Sequence, residues 1–259
     1  MTDARTPVFE GKRALLVGIA NEHSIAYGCA AAFRELGAEL AITYVSEKTK
    51  KYVEPLAREL RAPIFMPLDV STPGQLETVF ERIRREWGRL DILVHSISGV
   101  PKSDLRGGLL NCSAEGFTRA MDVSCHSFIR MARLAAPLMK HGGAMFAMSY
   151  LGANRVVPNY NVMGPVKAAL EAVCRYLAFE LGPKRIRVHA ISPGPLKTRA
   201  GSGLKDFDLL LNEAMQRAPV GEPVDIMDVG FACAYLATPY ARRLTGSTTY
   251  VDGGVNIMA

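Results

Sequence analysis

Seven short apolar runs recur along the chain: Ala14 to Val17, Leu40 to Tyr44, Ile64 to Leu68, Ile92 to Ile97, Ala144 to Ser149, Ile186 to Ile191 and Thr248 to Val251. Between most of them lie longer stretches with helical spacing. These run from Ser24 to Leu36 with Gly37 as a stop, through about Leu60, from Gln75 to Trp87, from Ala114 to about Lys140, and up to Leu181 before Gly182-Pro183. Parallel neighbours need crossover connections, so this alternation predicts an α/β fold: a doubly wound, parallel seven-stranded sheet with helices on both faces. A length of 259 residues suffices for one large core, and no repeat, low-complexity tract or linker divides it, so residues 1–259 read as a single domain. The segment of about 193–218 breaks the alternation with Pro and Gly before a short helical pattern. Ligands of such sheets bind beyond the carboxyl ends of the strands, where this segment reads as a substrate lid.

Composition removes other classes. Apolar residues at 49 % and charged residues at 22 % exclude disorder, collagen-like repeats and coiled coil. The excess of 31 Lys+Arg over 25 Asp+Glu gives +6, and the cations are dispersed. That favours anionic small molecules or an acidic partner over nucleic acid. Cys29, Cys112, Cys125, Cys174 and Cys233 are far apart without a CxxC, which argues against zinc, any other metal site and a disulfide framework. No stretch approaches the ~18 apolar residues of a membrane span and the first residues include acids, so the expected location is the cytoplasm.

The first strand runs into Gly18, followed by small residues at Ala20, Ser24 and Ala26. A turn of this kind brings a pyrophosphate to backbone N–H groups at a helix start. It is a variant of the glycine-rich dinucleotide turn of Rossmann-like folds, and by itself also a plain βα turn. The acid that normally holds the adenosine ribose at the end of the second strand is missing. Thr43-Tyr44-Val45-Ser46 stands there, leaving NADH and NADPH both open, with Lys48, Lys50 and Lys51 either reaching a 2′-phosphate or forming a solvated helix face. Asp69-Val70, after the third strand, is either an adenine site or an N-cap for the next helix.

Tyr160 and Lys167 are seven positions apart. On a helix that is about 700° of rotation and about 10.5 Å of rise, which puts both on one face. An ammonium beside a phenol lowers its pKa and can hold a cofactor ribose while the phenol faces a substrate. Pro165 opens a second reading, in which the helix starts near Met163 and Tyr160 sits in the lead-in loop.

Together, Gly18, Ala20 and Ser24-Ile25-Ala26, Asp69-Val70, His95-Ser96-Ile97, Tyr150-Leu151-Gly152, Tyr160 with Lys167, Pro195 to Thr198 and Asp252-Gly253-Gly254 resemble the bacterial enoyl-[acyl-carrier-protein] reductases of the short-chain dehydrogenase superfamily. The resemblance runs from about Phe9 to Asn256. Most of that superfamily spaces the pair as Tyr-x₃-Lys, whereas Gly164 occupies that lysine position here. The resemblance implies hydride transfer from a reduced nicotinamide to a trans-2-enoyl thioester. It makes Tyr150, Tyr160 and Lys167 the catalytic residues, with Tyr160 stabilising the enolate. It implies cofactor contacts at Gly18, Ser24, Ile25, Asp69, Val70, Ile97, Lys167, Leu196, Lys197, Thr198, Arg199 and Ala200. Substrate contacts fall at Val100, Tyr150 and Tyr160, and Ser98-Gly99-Val100, where relatives carry an aromatic, implies a wider acyl wall. It further implies NADH, with NADPH not excluded, an acyl carrier protein as partner and a homotetramer. A 3-oxoacyl or other carbonyl reductase is the alternative enzyme, handicapped by the missing Tyr-x₃-Lys, and a non-catalytic dinucleotide sensor is the alternative outside enzymes.

Overall fold

The computed structural model describes residues 8–199, 201 and 206–258; Ala200 and residues 202–205 of the expected lid lie outside the described residues. The strands are β1 (Arg13–Val17), β2 (Glu39–Tyr44), β3 (Ile64–Pro67), β4 (Ile92–His95), β5 (Gly143–Met148), β6 (Ile186–Pro193) and β7 (Thr248–Val251). They form one seven-stranded parallel sheet in the order β3-β2-β1-β4-β5-β6-β7. The winding reverses between β1 and β4, where Val17 pairs with His95. Their carboxyl ends therefore splay apart into a crevice, the general ligand position of such sheets.

The helices are α1 (Ile25–Glu35), α2 (Glu47–Glu59), α3 (Gln75–Trp87), α4 (Lys102–Arg106), α5 (Ala114–Met121), α6 (Ser127–Ala135), α7 (Met163–Leu181), α8 (Phe207–Arg217) and α9 (Ile226–Ala237). Successive residues of a strand face opposite sides, so β1 feeds two cores. Leu15 and Val17 pack with Phe80, Phe128 and Leu170 on one face, and Ala14 and Leu16 with Phe33, Val53 and Val229 on the other.

Three elements differ from the expected pattern, the short α4 being one that it did not contain. The long helix from Ala114 is broken by a π turn at Asp122–His126 and finishes in a 3₁₀ turn at Ala136–Leu138. Helix α9 has no counterpart in the expectation. It lies against α1 at backbone contact distance: a Cβ on Gly28 would stand 2.1 Å from the Ile226 carbonyl oxygen, and one on Gly230 would stand 2.4 Å from that of Gly28.

Candidate active site

Gly18 ends β1 at φ +116°, and a Cβ there would lie 2.0 Å from the carbonyl oxygen of Ser96 beyond β4. Only glycine lets these two strand ends meet. The Ser24 hydroxyl turns back into the loop, where it accepts from the N–H groups of Ala20 at 3.0 Å and Asn21 at 3.1 Å. Tyr27 and Gly28 donate to the Ser24 carbonyl. The amides of Ile25 and Ala26 at the helix start have no intrahelical acceptor, and Ile25 lines the cleft.

Along the second strand end, Val45 and Ser46 border the cleft in place of an acid. Of the three lysines on α2, Lys48 lines the cleft. Lys50 pairs with Glu47 at 3.6 Å and lies 5.6 Å from the Tyr44 ring, and Lys51 lies 4.9 Å from the Tyr52 ring. Asp69 is fixed on both sides: its N–H donates to Gln75 Oε1 at 2.7 Å and its Oδ1 accepts from the Ser71 N–H at 2.8 Å. The N-cap of α3 is Gly74, which sets aside the capping reading of Asp69.

Helix α7 begins at Met163 with Pro165 in its first turn, and Tyr160 stands in the turn before it, flanked by Asn159 at φ +63° and Asn161 at φ +45°. The reading of Tyr160 and Lys167 as two positions on one helix is thus corrected. Left-handed backbone on both sides of Tyr160 cannot propagate a right-handed helix, and Pro165 suits a first turn. Both side chains nevertheless line the same cleft. Tyr160 is held by two neighbours. Its ring lies over Gly152, where a Cβ would come within 2.4 Å, and meets the Tyr150 ring edge-on at 4.9 Å. Lys167 is buried and donates from Nζ to the Met148 carbonyl at 2.6 Å.

Burial controls the protonation of all three. It pushes Tyr160 well above the usual phenol range, with Tyr150 adding to the rise, and pushes Tyr150 up to about 12. Burial brings Lys167 down to about 8, opposed by the neighbouring Cys125, Cys174 and Glu171. The expectation that the ammonium lowers the Tyr160 pKa is therefore reversed, because desolvation of the phenolate outweighs it. Tyr160 remains a neutral hydrogen-bond donor.

Sequence reasoning missed the polar frame behind these groups. Glu171, one turn after Lys167 and 5 % exposed, accepts from Ser149 Oγ at 2.5 Å and from Asn154 Nδ2 at 3.2 Å. Asn154 Nδ2 also donates to the Tyr250 hydroxyl at 3.0 Å, tying the frame to β7. The available signal was an acid at i+4 in an apolar helix. Beneath the sheet end, the buried His95 Nε2 lies 2.7 Å from Ser127 Oγ. That hydroxyl donates to the Val123 carbonyl at 2.7 Å, so the imidazole proton is on Nε2.

Gly18, Ser24, Ile25, Asp69, Val70, Ile97, Val100, Tyr150, Tyr160, Lys167, Leu196, Thr198 and Arg199 all line one cleft of ≈ 830 Å³. Lys197 does not: at the tight turn in which the Thr198 N–H donates to the Leu196 carbonyl, Leu196 is buried and Lys197 is exposed. The wall at Gly99 is not vacated by the missing aromatic, because a Cβ there would already meet Val123 Cγ1 at 2.8 Å. On the lid side, Phe207 lines the cleft and packs on Gly201, whose Cβ would stand 2.9 Å from its ring. A cleft that joins free helix-start amides, a buried lysine, a buried phenol at Tyr160 and a half-buried one at Tyr150 fits an extended, doubly anionic dinucleotide.

Comparison with known proteins agrees with this geometry. The enoyl-(acyl carrier protein) reductase family matches residues 18–256. An enoyl-[acyl-carrier-protein] reductase [NADH] of Rhizobium meliloti is 44 % identical over 96 % of this chain and 93 % of its own. The crystal structure of the NADH enoyl-[acyl-carrier-protein] reductase of Aquifex aeolicus superposes with a TM-score of 0.93 at 43 % identity, covering 97 % of this chain and 99 % of that one. A reductase structure from Anaplasma phagocytophilum in complex with NAD has a TM-score of 0.93 at 42 % identity, covering 97 % of this chain and 96 % of that one. Identity at this level over nearly the whole length shows that the chain belongs to the enoyl-[acyl-carrier-protein] reductase family.

Proposed function

We propose that this chain reduces trans-2-enoyl thioesters of fatty-acid synthesis to the saturated acyl thioesters, using NADH, with the whole chain acting as one dinucleotide-binding catalytic domain. The observation that carries the reading is the neutral, buried Tyr160 phenol in the same cleft as Lys167 and the Gly18 turn. When bound, the reduced nicotinamide supplies a hydride to C3 of the enoyl group. Negative charge would then develop on the thioester oxygen, where the Tyr160 hydroxyl would donate a hydrogen bond to it, and C2 would take its proton from solvent water. Tyr150 walls the acyl side and holds the Tyr160 ring edge-on. Lys167, steered by the Met148 carbonyl, donates to the nicotinamide ribose. The Ile25 and Ala26 amides take the pyrophosphate, Asp69 and Val70 border the adenine, and Ile97, Leu196, Thr198 and Arg199 cover the nicotinamide half.

Val45 and Ser46 leave the adenosine ribose without a carboxylate, and Lys48 is the α2 lysine within reach of it. The NADH reading therefore leans on the relatives named as NADH enzymes. A relative from Bacillus cereus whose structure holds NADP+ is 38 % identical. An acyl carrier protein as thioester donor, a cytoplasmic location and a homotetramer belong to the same reading. Tyr176 and Phe179, exposed on α7 at 72 % and 82 %, support an assembly that covers them. Among the described residues no helix is long and apolar enough to cross a membrane.

The test is turnover of crotonyl and 3-oxoacyl thioesters with NADH and with NADPH, followed by nicotinamide absorbance. Loss of absorbance with the crotonyl thioester and NADH is expected. Turnover of the 3-oxoacyl thioester alone would replace this reading with a carbonyl reductase.

A further inference from the structure

A second lip of the cleft is built by α4, the 3₁₀ turn Leu109–Asn111 and α5. Asp104 locks it into one unit. Its buried carboxylate accepts from the Ser113 N–H at 2.7 Å and Ser103 Oγ at 3.1 Å, and packs so tightly on Gly116 that a Cβ there would lie 2.2 Å from Asp104 Cγ. The unit is bonded to the reaction centre, since Asn161 Nδ2, next to Tyr160, donates to the Leu105 carbonyl at 2.5 Å.

This lip carries an unbalanced charge. Lys102, Arg106 and Arg119 are exposed and join no ion pair among the described residues, and Lys102 and Arg119 stand where the cleft opens. From Lys102 to Met121 the acids are the buried Asp104 and the exposed Glu115. Leu109 and Leu110, between Arg106 and Arg119 in the chain, are 52 % and 100 % exposed. Helix α8 is of mixed charge, with Asp208, Glu213 and Arg217 exposed. Three cations unpaired among the described residues, on the unit that also exposes Leu109 and Leu110, are a steering and docking surface for a negative partner. A thioester entering the cleft leaves its carrier outside, at the rim.

We propose that the protein carrying the thioester docks an acidic face on the α4–α5 lip, with Leu110 at the centre of the contact; this rests on the enoyl-thioester reading above. The structural link from Leu105 to Asn161 makes the docked lip continuous with the turn that holds Tyr160.

Steady-state kinetics test it with three donors of the same enoyl group: acyl carrier protein, coenzyme A, and N-acetylcysteamine, which has neither protein nor phosphate. Arg106→Glu should raise KM for the carrier-protein substrate about 5- to 10-fold at unchanged kcat, flatten its dependence on ionic strength, and leave N-acetylcysteamine turnover as in wild type. Lys102→Glu combined with Arg106→Glu and Arg119→Glu should raise that KM further. An unchanged carrier KM would overturn the proposal, as would an equal rise with coenzyme A, which would mean the cations read a phosphate. A change in solution mass of Arg106→Glu would also overturn it, marking the face as a contact between copies. Absence of wild-type turnover with all three thioesters would remove the enoyl-reductase reading and the docking with it, whereas turnover with an unmoved carrier KM removes the docking alone.

Discussion

In the proposed reaction Tyr150, Tyr160 and Lys167 set the chemistry, and burial shifts the protonation of each. Tyr160 stays protonated across the working range because its phenolate is desolvated, so it acts as a donor and not as a base. Replacing it by phenylalanine should leave NADH affinity intact and slow turnover on the order of 100-fold, the usual cost of one oxyanion donor. Lys167 titrates near 8 in the free protein. Above that pH the amine loses its charge and its pull on an anionic cofactor, so NADH affinity measured by fluorescence should weaken as pH rises through about 8. Lys167→Met should bind NADH roughly 10-fold more weakly at pH 7 and lose that pH dependence. Glu171 orders the frame behind the site by accepting from Ser149 and Asn154. Glu171→Ala leaves the buried Ser149 hydroxyl without its acceptor while the exposed Asn154 keeps its bond to Tyr250, and denaturant titration should show a loss of about 1–2 kcal/mol.

At the scale of elements, the contacts between α1 and α9 set the tolerance of the frame. Gly28→Ala puts a methyl 2.1 Å from a backbone oxygen that belongs to a packed helix and cannot yield as a side-chain tip would. A loss of at least about 2 kcal/mol is expected, read as a fall in Tm of several degrees. The strands were legible because buried parallel strands leave uninterrupted apolar runs, and Gln75–Trp87 and Thr248–Val251 match their expected ends. Helix α9 was not, because Ile226–Ala237 is made of small and apolar residues nearly all round and shows little of the amphipathic contrast by which a helix is read. The π turn at Asp122–His126 adds a residue per turn without changing composition, so periodicity carries no sign of it. Around Tyr160 the local sequence held the answer in Pro165 and the two asparagines, residues that tolerate left-handed backbone, and spacing alone pointed to a helix that does not reach the tyrosine. The cofactor turn and the lining residues were readable from types and positions. The Glu171–Ser149–Asn154 frame depends on contacts between segments that sequence does not order.

Across the whole molecule, the two buried histidines link stability to pH. His95 is held near 3 and His189 near 4 by desolvation, and both nitrogens of His189 lack a hydrogen-bond partner among the described residues. Their folded values lie below the unfolded value of 6.5, so the unfolded chain binds more protons between those limits. Stability is therefore full above pH 6.5 and declines as pH falls, by up to about 1.4 kcal/mol per pH unit for each histidine. His189→Leu should flatten the acid limb of a stability-against-pH curve by one proton. The same architecture brings the β1–β4 crevice, the Gly18 turn and the lead-in to α7 to one cleft, which is the basis of the proposed reaction. The most direct test is a single-turnover measurement of NADH oxidation on enoyl thioester with saturated wild type and saturated Tyr160→Phe. Equal NADH binding with hydride transfer slowed about 100-fold in the variant is the predicted result. Equal rates in the two proteins would contradict the assignment of the Tyr160 hydroxyl to the developing enolate.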